Sequence, residues 1–291
     1  MKNKTYRERI KYFIELSKLK IMIPVSLTGF TGFFIFNSQV SVKIFLVTTG
    51  ILLLSVAASV LNQIQEVKMD SKMPRTMNRP LPSNNLSRMD ALLFFFIILI
   101  AGFILLYSFG NITAALLGLF TIIWYNGIYT YSKRLTAFAV FPGAVTGALP
   151  PLIGWVAAGG GLLDKPIVFV AFLFFMGQIP HFWLLVLKYG DEYSAAGFPS
   201  LTEIMSRNQI TRMTFTWVVA SVIAALFLYY FKIFKSDFVV IILLVGSAFL
   251  IWQFSNLMIF SQEKNYRKYS IFLDTYFLLI MILLIIDKIV I

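Results

Sequence analysis

Long apolar runs separated by short charged segments dominate this chain. About 20 apolar residues suffice for a helix to cross the hydrocarbon of a bilayer. Nine such runs can be marked, at approximately 20–38, 43–66, 90–109, 111–130, 137–158, 166–187, 209–231, 238–260 and 270–289. They predict an all-α polytopic membrane protein with nine transmembrane helices. Ahead of them, Tyr6, Ile10, Phe13 and Ile14 share one helical face, with Arg7, Lys11 and Glu15 off it. That pattern predicts an amphipathic segment, residues 1–18, lying along the membrane surface. Nothing left over is long enough to fold as a soluble domain, so residues 1–291 read as a single transmembrane domain.

Charge decides the orientation. The formal net charge of +12 could suit nucleic acid, but the cations flank the apolar runs, which points to anionic headgroups and no nucleic acid. With the N-terminus and the even-numbered loops on one side, that side holds 20 of the 25 Lys and Arg. Only Lys43, Lys165, Lys232, Lys235 and Lys288 fall on the other. Lys and Arg accumulate on the cytoplasmic side. The expectation is a multi-pass protein of the cell inner membrane, its N-terminus and polar loops cytoplasmic. Cysteine is absent, which removes disulfides, thiolate nucleophiles and cysteine-held metals.

Three polar interruptions stand out on the cytoplasmic side. Asn62, Glu66 and Asp70 recur every four residues and share one helix face, followed by Arg75 and Arg79 in a segment closed by Pro80 and Pro82. Asn126, Tyr129 and Lys133 recur at helical spacing near the inner end of the fourth run, where they could face the same cavity. After the sixth run come Lys188, Asp191 and Glu192, with Gly197 and Pro199 ending the local helix. His181, the only histidine, lies seven residues before Lys188 on the same face. In the fifth run, Pro142, Pro150 and Pro151 remove backbone hydrogen bonds inside the membrane. That is tolerated only where protein or water satisfies the freed carbonyls, so a cavity is expected there. Gly143, Gly147 and Gly154 would allow close helix approach or room for a bulky ligand. Asn256, Asp274 and Asp287 are further polar residues whose facing the sequence leaves open.

Two acidic clusters across a cavity mouth suit Mg²⁺, which favours carboxylates and phosphate oxygens. Arg75, Arg79, Lys133 and Lys188 would take the remaining phosphate charge. Above a hydrophobic cavity, this describes a ligand with a diphosphate head and a long apolar tail, such as an isoprenyl diphosphate. The competing class is a transporter, which would place ionisable groups near the bilayer midplane and show a repeat-like architecture.

The motif N-x-x-x-E-x-x-x-D-x-x-M-x-R-T-x-x-R-P-L, from Asn62 to Leu81, resembles the first acidic motif of the UbiA-type intramembrane prenyltransferases. With ELSKLKI, YTYSKRLT, GALPPLIGW and IPHFWLLVLKYGDEYSAAGFP, the likeness covers most of residues 15 to 201 and is greatest to the protoheme IX farnesyltransferase (heme O synthase) branch. The resemblance implies Mg²⁺-dependent transfer of the farnesyl group of farnesyl diphosphate to the vinyl group of heme B, with water added. Its rival within the family is another aromatic or tetrapyrrole acceptor. It implies Asn62, Glu66, Asp70, Asp191 and Glu192 for the metal and Arg75, Arg79, Lys133 and Lys188, with Asn126 and Tyr129, for the diphosphate. His181 becomes a heme contact. Implied partners are heme A synthase or a terminal oxidase. Glu66 stands where Asp is common in the family, and Ser200 replaces the usual Met.

Overall fold

A computed structural model of the chain describes residues 5–259 and 265–290. Parts of three expectations lie outside them: residues 1–4 of the surface segment, residue 260 of the eighth run, and Lys2, Lys4 and Lys264 of the charge count. Among the described residues, nine helices are long and apolar enough to span a membrane. In chain order they are Leu19–Asn37, Val42–Asp70, Arg88–Phe109, Ile112–Leu135, Val140–Ala158, Lys165–Ala196, Arg207–Tyr230, Asp237–Ile259 and Tyr266–Val290. These are the first to ninth spans.

Two of them outrun the hydropathy pattern. The second ends at Asp70 rather than near 66, and the sixth at Ala196 rather than near 187. At 1.5 Å per residue they are about 44 and about 48 Å long, against a hydrocarbon core of about 30 Å. Their inner ends therefore project from the apolar layer, and the acidic residues sit on helix rather than in loops. Gly197, at φ 91°, closes the sixth span in the left-handed region.

The surface segment is a helix, Tyr6–Ser17, started by a capping box between Thr5 and Glu8. Tyr6, Ile10 and Ile14 form an exposed apolar row, as expected of a helix on a membrane surface. Phe13 instead turns inward onto Phe94, with ring centroids 4.9 Å apart. Arg9 also reaches Asp90 of the third span at 3.3 Å.

Four pairings define the centre of the bundle: first on fifth, fifth on sixth, sixth on ninth, and ninth on first. They close a ring. The second to fourth spans pack outside one side of it and the seventh and eighth outside the other. Glycine makes the first-on-fifth contact possible, because a Cβ on Gly154 would strike the Gly29 carbonyl oxygen and one on Gly32 the Pro151 carbonyl oxygen. The other two fifth-span glycines also serve close approach, Gly143 under the Tyr129 ring and Gly147 against Gln178. The fifth span runs unbroken through Pro150 and Pro151. Pro142 lies in its first turn, where a missing N–H costs little. Asp287, buried in the ninth span, accepts bonds from the backbone N–H of Lys235 and Ser236 and so ties down the start of the eighth span.

Gly32→Ala should destabilise the protein by about 1–3 kcal/mol, because backbone must move to admit the methyl. Gly127→Ala, with nothing within 4 Å of its Cβ, should leave stability unchanged. Thermal unfolding of the detergent-solubilised variants checks both.

Candidate active site

The polar face of the second span is buried along its length. Asn62, Glu66 and Asp70 are 4, 7 and 2% exposed. Each has a partner from another segment. Asn62 Nδ2 donates to Thr130 Oγ1 at 3.1 Å, Lys133 Nζ lies 2.5 Å from Glu66 Oε1, and Arg79 donates to Asp70 Oδ2 at 2.7 Å. A buried carboxylate without a cation would be severely destabilising, so these contacts are conditions for burial rather than ornaments.

Local geometry explains how the partners arrive. The fourth span contains a π-helical turn at Trp124–Tyr129. There Thr130 donates its hydroxyl to the Tyr125 carbonyl at 2.9 Å while accepting from Asn62. The extra residue per turn brings Thr130 and Lys133 onto the face of the second span. The segment after Asp70 folds back on the helix end, because Thr76 Oγ1 donates to the Asp70 carbonyl at 2.8 Å. This returns Arg79 to the carboxylate nine residues before it.

Arg75 crosses to the sixth span, its guanidinium 4.7 Å from the Tyr189 ring centroid and 3.4 Å from the Tyr193 hydroxyl. Lys188 is exposed, with its ammonium 4.8 Å from the Tyr189 ring. Asp191 bonds Arg207 at 2.8 Å, and Glu192 Oε2 is buried without a hydrogen-bond partner. Among the described residues, no three His, Asp or Glu side chains stand close enough to share one ion. Here Glu66, Asp70 and Asp191 are matched by Lys133, Arg79 and Arg207. The donors nonetheless fit a hard divalent ion, being oxygen ligands on one buried face with an unpartnered carboxylate oxygen on the facing span.

Asn126 lies differently from expectation. Its Nδ2 donates to the Ala58 carbonyl and to Gln65 Oε1, so it clamps the fourth span to the second instead of facing a cavity. Tyr129, Lys133, Val140, Phe182, Val186 and Phe198 line a cavity of about 90 Å³ beside the charged mouth. His181 bonds Asp274 of the ninth span at 2.9 Å.

The sequence reading missed Lys18. It sits between the surface helix and the first span at φ 46°, within electrostatic reach of Arg79, Asp70, Glu66 and Lys133. Burial, and then Arg79, push its ammonium down to about 7, against the pull of Asp70 and Glu66. In sequence it looks like one more cation ahead of a span; only the left-handed turn brings it to the cluster.

Membrane-spanning helices that bring buried carboxylates and cations together beside an apolar cavity suit an intramembrane prenyltransferase. The chain belongs to the UbiA prenyltransferase family, whose model it matches over residues 24–280. It is 34% identical over 242 residues to a protoheme IX farnesyltransferase of Oleidesulfovibrio alaskensis, covering 83% of each chain. A protoheme IX farnesyltransferase of Trichodesmium erythraeum is 31% identical over 288 residues, covering 96% of this chain and 86% of that one. The fold matches a UbiA homolog from Archaeoglobus fulgidus bound to GPP and Mg²⁺, with a TM-score of 0.72, 15% identity, and 96 and 98% of the two chains covered.

An anion binding beside Lys18 favours its charged form. Pyrophosphate affinity should therefore fall as pH rises above about 7, the ammonium's lowered value. In Lys18→Arg, which stays charged throughout, that part of the pH dependence should vanish. Calorimetric titration across pH 6–9 checks it.

Proposed function

We infer that the chain transfers the farnesyl group of farnesyl diphosphate to the vinyl group of heme B, with addition of water. One observation carries this reading: a buried Asn62–Glu66–Asp70 face surrounded by Lys18, Arg75, Arg79 and Lys133, in a chain 34% identical to a protoheme IX farnesyltransferase. The match covers 83 and 86% of the Oleidesulfovibrio alaskensis and Trichodesmium erythraeum relatives, which supports carrying the activity across.

The cations take the diphosphate, Arg75 and Arg79 through forked N–H groups and Lys18 and Lys133 as point charges. Lys188, exposed at the same mouth, meets the head as it enters. Asn62, Glu66 and Asp70, with Asp191 and Glu192 from the facing span, would hold Mg²⁺. Bound there, the ion supplies positive charge that stabilises diphosphate as a leaving group.

The C1–O bond of farnesyl diphosphate breaks, and C1 bonds the terminal vinyl carbon of the acceptor. The cation left on the inner vinyl carbon takes water and releases a proton. Tyr129, Phe182 and Phe198 wall the cavity beside the mouth and keep water from the allylic cation before transfer. The basic mouth faces the cytoplasm of an inner membrane, in keeping with the charge count. The product would pass to a heme A synthase or a terminal oxidase.

Purified protein with farnesyl diphosphate, Mg²⁺ and heme B should yield hydroxyethylfarnesyl heme by mass analysis. Prenylation of a quinone precursor instead would replace the acceptor and keep the class. Asp70→Asn should lower turnover by about 10²-fold or more while the protein still inserts; near-normal turnover would remove Asp70 from the site.

A further inference from the structure

The His181–Asp274 pair joins the sixth and ninth spans, 93 residues apart in sequence, at 2.9 Å. Both residues lie deep in the membrane. His181 is near the middle of Lys165–Ala196, and Asp274 is more than two turns into Tyr266–Val290. A carboxylate at that depth is rare unless it is paired and faces the bundle interior or a polar cavity. The Asp274 side chain is 59% exposed and that of His181 31%, so the pair is not sealed between the helices but borders open space.

The ninth span's contacts tell which space this is. Tyr276 bonds Ser247 and so marks the side toward the eighth span, while Phe277 against Phe174 marks the side toward the sixth. At 100° per residue, Asp274 lies roughly 60° beyond Phe277, turned away from the eighth span. Continuing that rotation leads toward the first span, which also packs on the ninth. Asp274 thus faces the side where the first, sixth and ninth spans meet, on the central ring.

The chemistry of the pair is directional. A carboxylate oxygen without a proton only accepts, so in that pairing His181 Nδ1 donates to Asp274 and a neutral ring is left with its lone pair on Nε2. A carboxylate in this position holds the ring's orientation, as second partners of metal-bound histidines do. At 1.5 Å per residue, His181 lies about 10 Å below Lys188 along the same helix face, beneath the charged mouth.

We propose that Asp274 is a positioning residue for the acceptor, holding His181 so that Nε2 is presented to the iron of a metalloporphyrin in the open space beside the pair. This rests on heme B being the acceptor. Resonance Raman of the ferrous heme complex and a Soret titration test it, with farnesyl diphosphate binding measured on the same preparations to show that each variant is folded. The wild type should show an iron–histidine band that His181→Ala loses. Asp274→Asn can bond the ring in either tautomer, so it should move the band to lower frequency and weaken heme binding by about 10- to 100-fold. Asp274→Glu should restore both toward wild type. If Asp274→Asn leaves band and affinity unchanged while His181→Ala abolishes the band, Asp274 has no such role, although heme remains the acceptor. Should the wild type bind heme with no iron–histidine band, the ligation by His181 is wrong. Failure of the wild type to bind heme at all would overturn the acceptor reading together with this one.

Discussion

The Asp70 carboxylate, 2% exposed at the end of a helix that crosses the membrane, is met there by Arg79 at 2.7 Å. Much of the site follows from that contact. To bring Arg79 back over nine residues, the chain must reverse on leaving the second span, and the Thr76 bond to the Asp70 carbonyl makes the reversal. The reversed segment carries Arg75 across to Tyr189 and Tyr193 on the sixth span. One buried charge therefore organises a loop, and the loop links two helices that are distant in sequence.

Depth in the membrane is set by a different constraint. Lipid gives helices no hydrophobic reason to associate, so the central ring depends on close packing of small residues. Gly29, Gly32 and Gly154 let the first span lie on the fifth at backbone distance, beside carbonyls of the Pro150–Pro151 pair. This contact fixes one wall of the ring. The ninth span closes the opposite side and carries Asp274, which meets His181 of the sixth.

How far the chain could be read in advance follows from which forces are local. Nine spans were legible because membrane crossing is a property of each apolar run by itself. Their inner ends were not, since beyond the hydrocarbon the second and sixth helices continue through polar residues that hydropathy assigns to loops. The spacing of Asn62, Glu66 and Asp70 was legible as one face, and burial of all three agrees with it. Their partners were legible only as candidates. Asn126 looked like a cavity residue and is a clamp onto Ala58 and Gln65, because a π-helical turn sets its direction and that turn depends on the neighbouring span. Lys18 was hidden among topogenic cations, and Asp274 could not be assigned a facing without the sixth span beside it.

The sixth span then acquires a particular importance. It carries Lys188, Asp191 and Glu192 at the mouth and His181 about 10 Å deeper, all on one rigid element. A site whose groups share a helix holds their spacing more closely than one assembled from loops. The proposed reaction needs that, because a charged head held at the mouth and a planar acceptor held deeper would have to bring their reacting carbons together. Glu192 and the loop-borne Arg75 can adjust as the head binds, since Arg75 is held by aromatic and hydroxyl contacts. The deeper point cannot adjust in the same way. The imidazole of His181 takes its direction from its bond to Asp274 on the ninth span, and the helix rise between residues 181 and 188 sets its depth below the mouth.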